Sequence, residues 1–410
     1  MNRNEAWEEL FRIHCVVARV DECGQFDITA QQINGIGGPD ARLMAKIDSR
    51  ENLPSIMVKN DLAMLAIGNG KYRIGRFDPF FRIPERHEGP VRTVAFPRDI
   101  VTLDPSCIGT ESAALDVASV TGMLDEAFGE HVQLTIRGRT RAGADFNFML
   151  GNVSFPVAGV QVEVDGGYEG RSTVDLVEAK IGGKSNLTLR QILYPQRCWE
   201  KLISRAKSVR SYVFLYQEPL FRFVPVVCSG AAVVADSQNE MAFRIEENGT
   251  FDLKEIRIEG SEPLVDLNSP FPQADDFGKV LAMLSIVSGT DGALKSALSL
   301  EFDITGRQID YYYAALRWMK LCTDRDGQIL LSKKGMEVAR MPHLSKIRAL
   351  AEVVFSEPIF HRALRHGVPA SSSDLWNRWN LNTTTRERRR HTVTSWVEYF
   401  SEMQATGYPN

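Results

Sequence analysis

The stretch VQVEVDGGYEGRSTVDLVEAKIG, residues 160–182, contains two runs of alternating apolar residues on either side of a glycine-rich turn. This alternation predicts two β-strands, because side chains at positions i and i+2 of a strand share a face. Glu178 and Lys180 are therefore expected to point the same way from the second strand. Val177 and Ala179 are expected to pack on the opposite face.

Two carboxylates and a lysine on neighbouring strands have the composition of a metal-dependent phosphodiesterase site. Asp165 ends the first run, and the GGYEGRST loop is expected to bring it beside Glu178. Such an oxygen site suits Mg²⁺, with Mn²⁺ as a substitute, and a divalent ion there stabilises the charge that develops on a phosphate. Lys180 can hold the attacking water or offset charge on the same phosphate. An exposed, salt-bridged hairpin gives the same local pattern, and the segment FDLK, with Asp252 and Lys254, is the simplest case of it.

The segments around these strands predict a mixed α/β domain. A helical pattern with an acidic first turn covers residues 111–128. A second helix covers 187–206, where Pro195 must kink it or start another helix. The order helix, strands, helix, strands indicates one domain of mixed α/β (α+β) character over residues 96–235. The further predicted strands cover residues 131–139, 146–150, 211–217 and 220–227.

The region before this domain predicts a separate unit. Residues 1–95 begin with an amphipathic helix and contain GNGKY (68–72) between apolar runs, which predicts a hairpin. IPERHEGP (83–90) is the expected boundary. We therefore expect an N-terminal α+β domain, from which Arg42 and Lys46 are positioned to contact DNA.

The region after the domain, residues 236–410, predicts a hairpin followed by helices. The hairpin is expected to turn at Asn248-Gly249. Residues 306–340 have the outline of a winged helix: a helix, a turn, a short β-wing and another helix. A small helical core is expected at the C-terminal end, packed by Trp376, Trp379 and Trp396.

Composition limits the classes of protein that fit. The net charge of −4 gives no global attraction to nucleic acid, so any such binding must come from local patches. Six scattered cysteines without a C-x-x-C pair argue against a zinc site and a disulfide framework, and are typical of a reducing cytoplasm. No run approaches the roughly 18 apolar residues that span a bilayer. The first residues lack a signal-peptide cleavage site. We expect a cytoplasmic protein with no membrane partner.

Three segments of the central domain carry a family resemblance: VEVDGGYEG (162–170), VDLVEAK (174–180) and LRQILYPQRCW (189–199). In this order and spacing they resemble the PD-(D/E)xK nuclease core, and more narrowly the type II restriction endonucleases of bacteria. The resemblance continues in patches outside the core, in ARLMAKIDSRENLPSI, GKYRIGRF, GRQIDYYYAALRWMKL and TRERRRHTVTSWV. The fold it implies is a restriction-endonuclease-like core between the N-terminal α+β domain and a mostly helical, winged-helix-like C-terminal domain.

The resemblance implies roles for the acidic pair and the lysine. Asp165 and Glu178 would be the metal ligands, and Lys180 the catalytic lysine. Val164 stands where the family motif has proline. Glu169 is the second choice for the first acid.

Four other residues are further candidates for the site. Glu163, the third choice for the first acid, shares a face with the chosen one and would support it. Gln191 and Tyr194 lie one helical turn apart, and in related nucleases a glutamine and a tyrosine on this helix support the lysine and the phosphate. The alternative for both is an ordinary helix surface. Glu111 resembles a helix-borne acid that sometimes joins the metal site, but an acid in a first turn also simply complements the helix dipole.

Basic and polar side chains outside the site are candidates for DNA contacts, since arginine reads guanine and contacts phosphates. Three arginines lie in TIRGRTRAG beside the predicted site, a second set lies on the helix of the winged-helix outline, and a third heads the last helix, where Thr383–Thr385 would cap it. Tyrosines at helical spacing are often core residues, and a charge run is often a solvated face. The candidates are Arg137, Arg139, Arg141; Arg307, Gln308, Tyr312; and Arg386, Arg388, Arg389, Arg390.

These features together predict a type II restriction endonuclease: Mg²⁺-dependent, sequence-specific hydrolysis of double-stranded DNA in host defence. We expect a bacterial cytoplasmic homodimer that works alongside a DNA methyltransferase. Two alternatives remain open at this point. One is a structure-specific repair or recombination nuclease, and the other is a non-catalytic DNA-binding regulator whose nuclease core has decayed.

Overall fold

The computed structural model describes, apart from the Arg141 side chain, residues 1–141, 145–182, 186–203, 206–256, 263–290, 292–295, 297–298 and 306–406. Its α-helices are α1 Arg3–Ile13, α2 Val16–Cys23, α3 Ala30–Asn34, α4 Ala41–Met44, α5 Ser55–Lys59, α6 Glu111–Val120, α7 Met123–Phe128, α8 Arg190–Leu202, α9 Phe277–Ser288, α10 Gly306–Trp318, α11 Lys333–Ala339, α12 His343–Phe355, α13 Pro358–His366 and α14 Thr383–Thr406. Short 3-10 turns lie at Arg50–Asn52, Ser237–Asn239, Leu253–Glu255 and Asp374–Trp379.

The β-strands are β1 Gln25–Thr29, β2 Ala63–Gly68, β3 Lys71–Gly75, β4 Phe80–Arg82, β5 Val91–Val94, β6 Gln133–Arg141, β7 Phe146–Leu150, β8 Val153–Val157, β9 Gln161–Glu169, β10 Thr173–Ile181, β11 Asn186–Thr188, β12 Ser208–Gln217, β13 Leu220–Ser229, β14 Ala232–Ala235, β15 Met241–Ile245, β16 Ala293–Leu294, β17 Cys322–Arg325 and β18 Gln328–Leu331.

A large mixed sheet forms the centre of the molecule, with strand order β5-β15-β13-β12-β10-β9-β6 and β14 beside β13. β10 pairs in parallel with β12, and β15 with β5, while the other neighbours are antiparallel. The fold is therefore mixed α/β, as predicted. Strands at 91–94 and 241–245 belong to this sheet, so it extends past the boundaries expected at residues 95 and 235.

Strand β10 is buried along its whole length because both faces of the sheet are covered. Val177 and Ala179 lie in the core that the sheet shares with α6, α7 and the C-terminal helices. On the other face, Val213 and Leu215 of the neighbouring strand pack in a core shared with α8. Burial of each of the larger apolar side chains contributes about 1.5–3 kcal/mol to the stability of the fold. The predicted opposition of Val177 and Ala179 to the charged pair is confirmed.

The N-terminal unit has its own small core. The sheet β1-β3-β2 packs with α1 around Trp7, Leu10 and Phe26. The hairpin predicted at 68–72 joins β2 to β3, and the predicted first helix is α1. The unit is tied to the central domain by the pairing of β4 with β11.

The C-terminal part contains most of the predicted elements. Helix α10, the strands β17 and β18 and helix α11 follow one another as predicted for 306–340. Trp376 and Trp396 are fully buried, and Trp379 is nearly so, which confirms that they pack a core. No helix in the described part of the chain is both long enough and apolar enough to traverse a bilayer.

The hairpin predicted at Asn248-Gly249 is wrong. The strand before it, β15, pairs with β13 and β5 instead, and the segment after it includes a 3-10 turn at Leu253–Glu255. The reason is packing, because Phe243 is completely buried in the central sheet against Phe223. A two-stranded hairpin alone would bury much less apolar surface.

The helix predicted around Pro195 is a single helix, α8, that continues through the proline.

A buried ionic cluster fixes the C-terminal helices to the central sheet. Glu218, between β12 and β13, accepts hydrogen bonds from Lys346 Nζ at 2.9 and 3.1 Å, and its Oε1 lies 3.0 Å from His343 Nδ1. Burial alone would raise the pKa of Glu218, but Lys346 and His343 lower it to about 2. The interaction therefore stabilises the fold above about pH 4.5, the ordinary value, and is lost as pH falls towards 2.

Replacing this carboxylate should destabilise the protein strongly. We expect Glu218→Gln to lower the free energy of unfolding by about 3–5 kcal/mol at neutral pH, because it leaves the Lys346 charge buried without its partner. Urea denaturation followed by fluorescence measures the change. Glu337→Gln, at an exposed position on α11, is the control and should change the value by less than about 0.5 kcal/mol. Equal stability of both variants would contradict the assignment.

Candidate active site

The two strands of the predicted site form an antiparallel pair that ends at the acids. The pairing runs from Val174 opposite Glu169 to Val177 opposite Gly166. Beyond this point the Ala179 N–H donates to the side chain of Asp165, at 2.8 Å from Oδ2. The carboxylate thus takes the place of a backbone acceptor where the strands separate, and this brings it to the level of the next residues of β10.

The glycine pair expected in a loop lies within strand β9 instead. Gly167 is required there because a Cβ atom would come within 2.6 Å of the Ile136 Cβ on the neighbouring strand. The actual turn is shorter, at residues 170–172. Asp165 therefore reaches Glu178 through strand register rather than through a loop.

The turn between the strands is held by Glu130, which sequence reasoning missed. Its carboxylate accepts hydrogen bonds from the backbone N–H groups of Arg171, Ser172 and Thr173. Hydrogen bonds from the Thr173 and Ser172 hydroxyls and from this backbone lower the pKa of Glu130 to about 2. A Cβ at Gly170 would lie 2.4 Å from the carboxyl carbon of Glu130, so a larger residue there would displace this side chain. The acid fixes the register on which the site depends.

One lysine lies among three acids from three different elements. Lys180 Nζ is 2.7 Å from Glu178 Oε1 on the same strand and 3.3 Å from Glu111 Oε1 at the start of α6. Its distance to Asp165 Oδ2 on β9 is 4.0 Å. Lys180 also donates to the Ala179 carbonyl at 2.6 Å. The predicted set of Asp165, Glu178 and Lys180 is thus brought together, and Glu111 joins it.

Burial and mutual charge govern the ionisation of this cluster. Burial raises the pKa of Glu178 to about 8. The charge of Lys180 opposes this increase, and the charges of Asp165 and Glu111 add smaller increases. Burial also raises the pKa of Asp165. Burial disfavours the charged form of Lys180, yet attraction to Glu178, Glu111 and Asp165 raises its pKa well above the ordinary value. The lysine therefore stays an ammonium, whereas Glu178 holds a proton below about pH 8 in the absence of metal.

Helix α8 adds Gln191 to the cluster. Its Nε2 donates to Glu178 Oε1, while its Oε1 is buried without a partner in the described part of the chain. The preceding residue, Arg190, forms an ion pair with Asp48 of the N-terminal unit at 3.1 Å. Gln191 therefore fixes the orientation of Glu178, in agreement with its predicted place in the site.

Three predicted site residues have other partners. Glu169, the second choice for the first acid, ends strand β9 beside Lys207 at 2.5 Å, so it is neither on a loop nor in the cluster. Glu163 is exposed and pairs with Arg139 at 2.9 Å. Tyr194 is buried, and burial raises its pKa well above the usual value. Its hydroxyl donates to the Ala66 carbonyl at 2.7 Å, so it joins α8 to the N-terminal unit.

The acid cluster opens into a large cleft between the N-terminal unit and the central domain. The volume of the cleft is about 1140 Å³. One wall carries Glu111, Asp165, Glu178, Lys180 and Gln191, and the other is formed by residues 40–48 together with parts of β2 and β3. The acid cluster therefore borders an open cleft.

The arginines predicted beside the site differ in their surroundings. Arg139 lines the cleft and is paired with the exposed Glu163. Arg137 is paired with Asp116 at 3.0 Å. The backbone of Arg141 ends strand β6, and its side chain lies outside the described residues.

The predicted DNA contacts on α10 include one core residue. Tyr312 is 8% exposed, and burial raises its pKa far above the usual value, so its prediction as a DNA contact is wrong. Arg307 and Gln308 are exposed, and Arg307 Nε donates to the Tyr311 hydroxyl at 2.7 Å. The helix is amphipathic, and the tyrosine belongs to its inner face.

The arginine run that begins α14 is only partly exposed. Arg386 donates to the carbonyls of Leu381 and Ser371 and so holds the preceding loop. The helix is capped by Asn382, which accepts from the Thr385 N–H, rather than by the threonines. Arg390 pairs with Glu387 at 2.9 Å, and Arg389 is half-buried, with its pKa lowered by burial and by Arg388. Arg388 is the exposed member of the run.

The donor set of the cluster fits a hard divalent ion. Within the described residues no group of three or more His, Cys, Asp and Glu side chains is placed so that it could hold a metal ion. Mg²⁺ does not need one, because it keeps several waters and binds through one or two carboxylates and substrate phosphate. Asp165 and Glu178 would supply those oxygens. The Lys180 ammonium already lies beside these two carboxylates, so their arrangement accommodates a cation.

Three family models match successive parts of the chain, and each is described as a domain of unknown function. They are DUF6996 over residues 4–74, DUF6997 over 75–229 and DUF7226 over 279–405. No curated protein and no solved structure matches the chain. The acid cluster and Gln191 lie within the second match, whereas the wall formed by residues 40–48 lies within the first.

Proposed function

We propose that the protein is a Mg²⁺-dependent endonuclease that hydrolyses phosphodiester bonds of double-stranded DNA, in the manner of a type II restriction endonuclease. The observation that carries the proposal is the approach of Lys180 Nζ to within 4.0 Å of Asp165, Glu178 and Glu111 at the base of a wide cleft. Acids with little access to solvent around one ammonium are costly for stability, and clusters with perturbed pKa values that line a cleft are candidates for a functional site.

Each group has a defined task in hydrolysis. The reaction adds a water oxygen to phosphorus and breaks one phosphorus–oxygen bond, while the water loses a proton and the leaving oxygen gains one. A divalent ion held by Asp165 and Glu178 supplies stabilisation of the charge on the phosphoryl group. Lys180 keeps its proton, so it acts by donating hydrogen bonds to the attacking water or to a phosphate oxygen and not as a base. Gln191 keeps Glu178 in place by its hydrogen bond.

The element order supports a PD-(D/E)xK core. Helix α6 precedes the antiparallel strands β6, β9 and β10, and helix α8 leads to β12, which runs parallel to β10. We propose that α10, β17, β18 and α11 form a winged helix, and that Arg307 and Gln308 on α10 and Arg388 on α14 help to hold DNA. Host defence, a homodimer that cuts both strands and a companion DNA methyltransferase follow from the resemblance to restriction endonucleases and belong to the same proposal.

A plasmid assay tests this function. Purified protein is incubated with supercoiled plasmid and with linear duplex DNA of known sequence, with Mg²⁺, with Mn²⁺ and with EDTA. We expect discrete fragments with either metal and intact DNA with EDTA. Cutting restricted to branched or damaged DNA would favour a structure-specific repair nuclease. Binding without cutting under every divalent ion would favour a non-catalytic regulator, and either result would refute the proposal.

A further inference from the structure

The wall of the cleft that faces the acids carries two unpaired cations. Arg42 lies in helix α4 and Lys46 follows that helix, and both are exposed and line the cleft. Neither side chain forms an ion pair or a hydrogen bond within the described part of the chain. Because these two side chains are exposed and unpaired, they are available to bind an anionic ligand.

The other cations of the cleft are already engaged. Arg139 is paired with Glu163 at 2.9 Å and Arg190 with Asp48 at 3.1 Å. Lys180 is held by the acids. Among the described lining residues, the positive charge that remains for a substrate is therefore concentrated on the N-terminal wall, opposite the site of the proposed chemistry.

The segment that carries the two cations is fixed to the rest of its unit. The Arg3 guanidinium donates to the Met44 carbonyl at 3.2 Å and to the Lys46 carbonyl at 2.9 Å. The indole N–H of Trp7 donates to the same Met44 carbonyl at 3.3 Å. Trp7 is completely buried, so the backbone on which Arg42 and Lys46 stand is set by the N-terminal core.

The same segment is also fixed to the central domain. The Thr188 N–H donates to the Asp48 carbonyl at 3.1 Å, and the Asp48 side chain holds Arg190. Asn186 Oδ1 accepts from the Arg50 N–H at 2.8 Å. These contacts reach the residue next to Gln191, so they join the N-terminal wall to the helix that carries this glutamine.

We propose that the DNA strand to be cut is held between these two walls, with Arg42 and Lys46 binding phosphates that flank the one placed at the acid cluster. The inference rests on the proposed function and adds a role for the N-terminal unit. Such contacts recognise the backbone and not the bases, so they position the strand without selecting its sequence. Because the backbone of this segment is already fixed, the freedom lost on binding phosphate is limited to that of the two side chains.

The salt dependence of DNA binding tests this role. Affinity for a labelled duplex is measured by fluorescence anisotropy over a range of salt concentrations, with Ca²⁺ in place of Mg²⁺ and the DNA checked afterwards for integrity. The double variant Arg42→Gln/Lys46→Gln is compared with Arg19→Gln/Lys59→Gln. The control pair removes the same charge from exposed positions of the same unit that do not line the cleft. Plasmid cleavage with Mg²⁺ is measured in parallel.

We expect the slope of log affinity against log salt to become shallower by about 2 in the cleft variant, since each phosphate contact contributes about 0.9. The control variant should keep the wild-type slope. An unchanged slope in the cleft variant, an equal change in both pairs or a wild-type protein that does not bind duplex DNA would overturn the inference. If only the cleft variant shows a shallower salt dependence, but no divalent ion supports cleavage by the wild type, the proposed hydrolysis is refuted. The binding of phosphates by Arg42 and Lys46 is then still supported.

Discussion

Lys180→Ala should abolish DNA cleavage, with a fall in rate on the order of 10²–10³-fold or more, the size found when one charge-stabilising donor is removed from an active site. The variant removes the only ammonium within reach of the three acids in the described part of the chain. The cost to folding should be modest because burial raises the pKa of Glu178 to about 8, so this acid is already protonated at neutral pH and is not left as an unpaired buried charge. Initial rates of plasmid cleavage at saturating Mg²⁺ measure the effect.

The chain supplies a matched control for this variant. Asp252 and Lys254 repeat the acid-x-lysine spacing, but Asp252 only caps a 3-10 turn by accepting from the Lys254 N–H. Lys254→Ala should cut DNA at the wild-type rate. Circular dichroism and anisotropy should show that Lys180→Ala remains folded and still binds DNA. Cleavage by Lys180→Ala at the wild-type rate would refute the assignment of the site.

Glu178→Gln should weaken the binding of Mg²⁺ by at least tenfold. The carboxylate is one of two ligands in the proposed site, and an amide has no charge to offer a divalent ion. In the wild type, metal affinity should rise about tenfold per pH unit up to about pH 8 and then level off, because the metal competes with one proton on Glu178. Isothermal titration calorimetry without DNA, at several pH values, measures both effects.

The sign of this dependence follows from the raised pKa of Glu178. The metal-free folded protein holds a proton there between about pH 4.5 and 8 that the unfolded chain has released, so this group contributes less stability as pH rises through that window. Added Mg²⁺ should therefore raise the stability of the folded protein most at high pH, where Glu178 is ionised. Asp252→Asn should bind like the wild type. Equal affinity of Glu178→Gln and the wild type, or an affinity that does not change with pH, would contradict the account.

The sequence predicted the centre of the site because its geometry is local. The period of two in a strand places Glu178 and Lys180 together, and the adjacent strand carries Asp165. It mislocated the turn, since the glycine pair served a close contact with Ile136 rather than a change of direction. The role of Glu130 was missed, because a lone acid 40 residues before the turn it holds has no local pattern, and its bonds are to backbone groups.

Interactions between distant segments were the least predictable. The sequence allowed two roles for Glu111, as a member of the metal site or as an acid that complements the helix dipole. The packing of α6 places it beside Lys180. Tyr194 was expected at the phosphate, yet its hydroxyl reaches Ala66, which lies 128 positions away in the chain. A strong local turn signal follows strand β15 at Asn248-Gly249, but burial of the side chains of β15 in the central sheet outweighed that signal.

Anomalous diffraction from crystals soaked in Mn²⁺ tests the central claim most directly, since the ion is located independently of any activity. The account predicts a peak between Asp165 and Glu178, with carboxylate oxygens at coordination distance, about 2.1 Å for a small divalent ion, and with the Lys180 ammonium beside it. A crystal that binds Mn²⁺ elsewhere, or shows these two carboxylates still held by Lys180 with no peak between them, would contradict it.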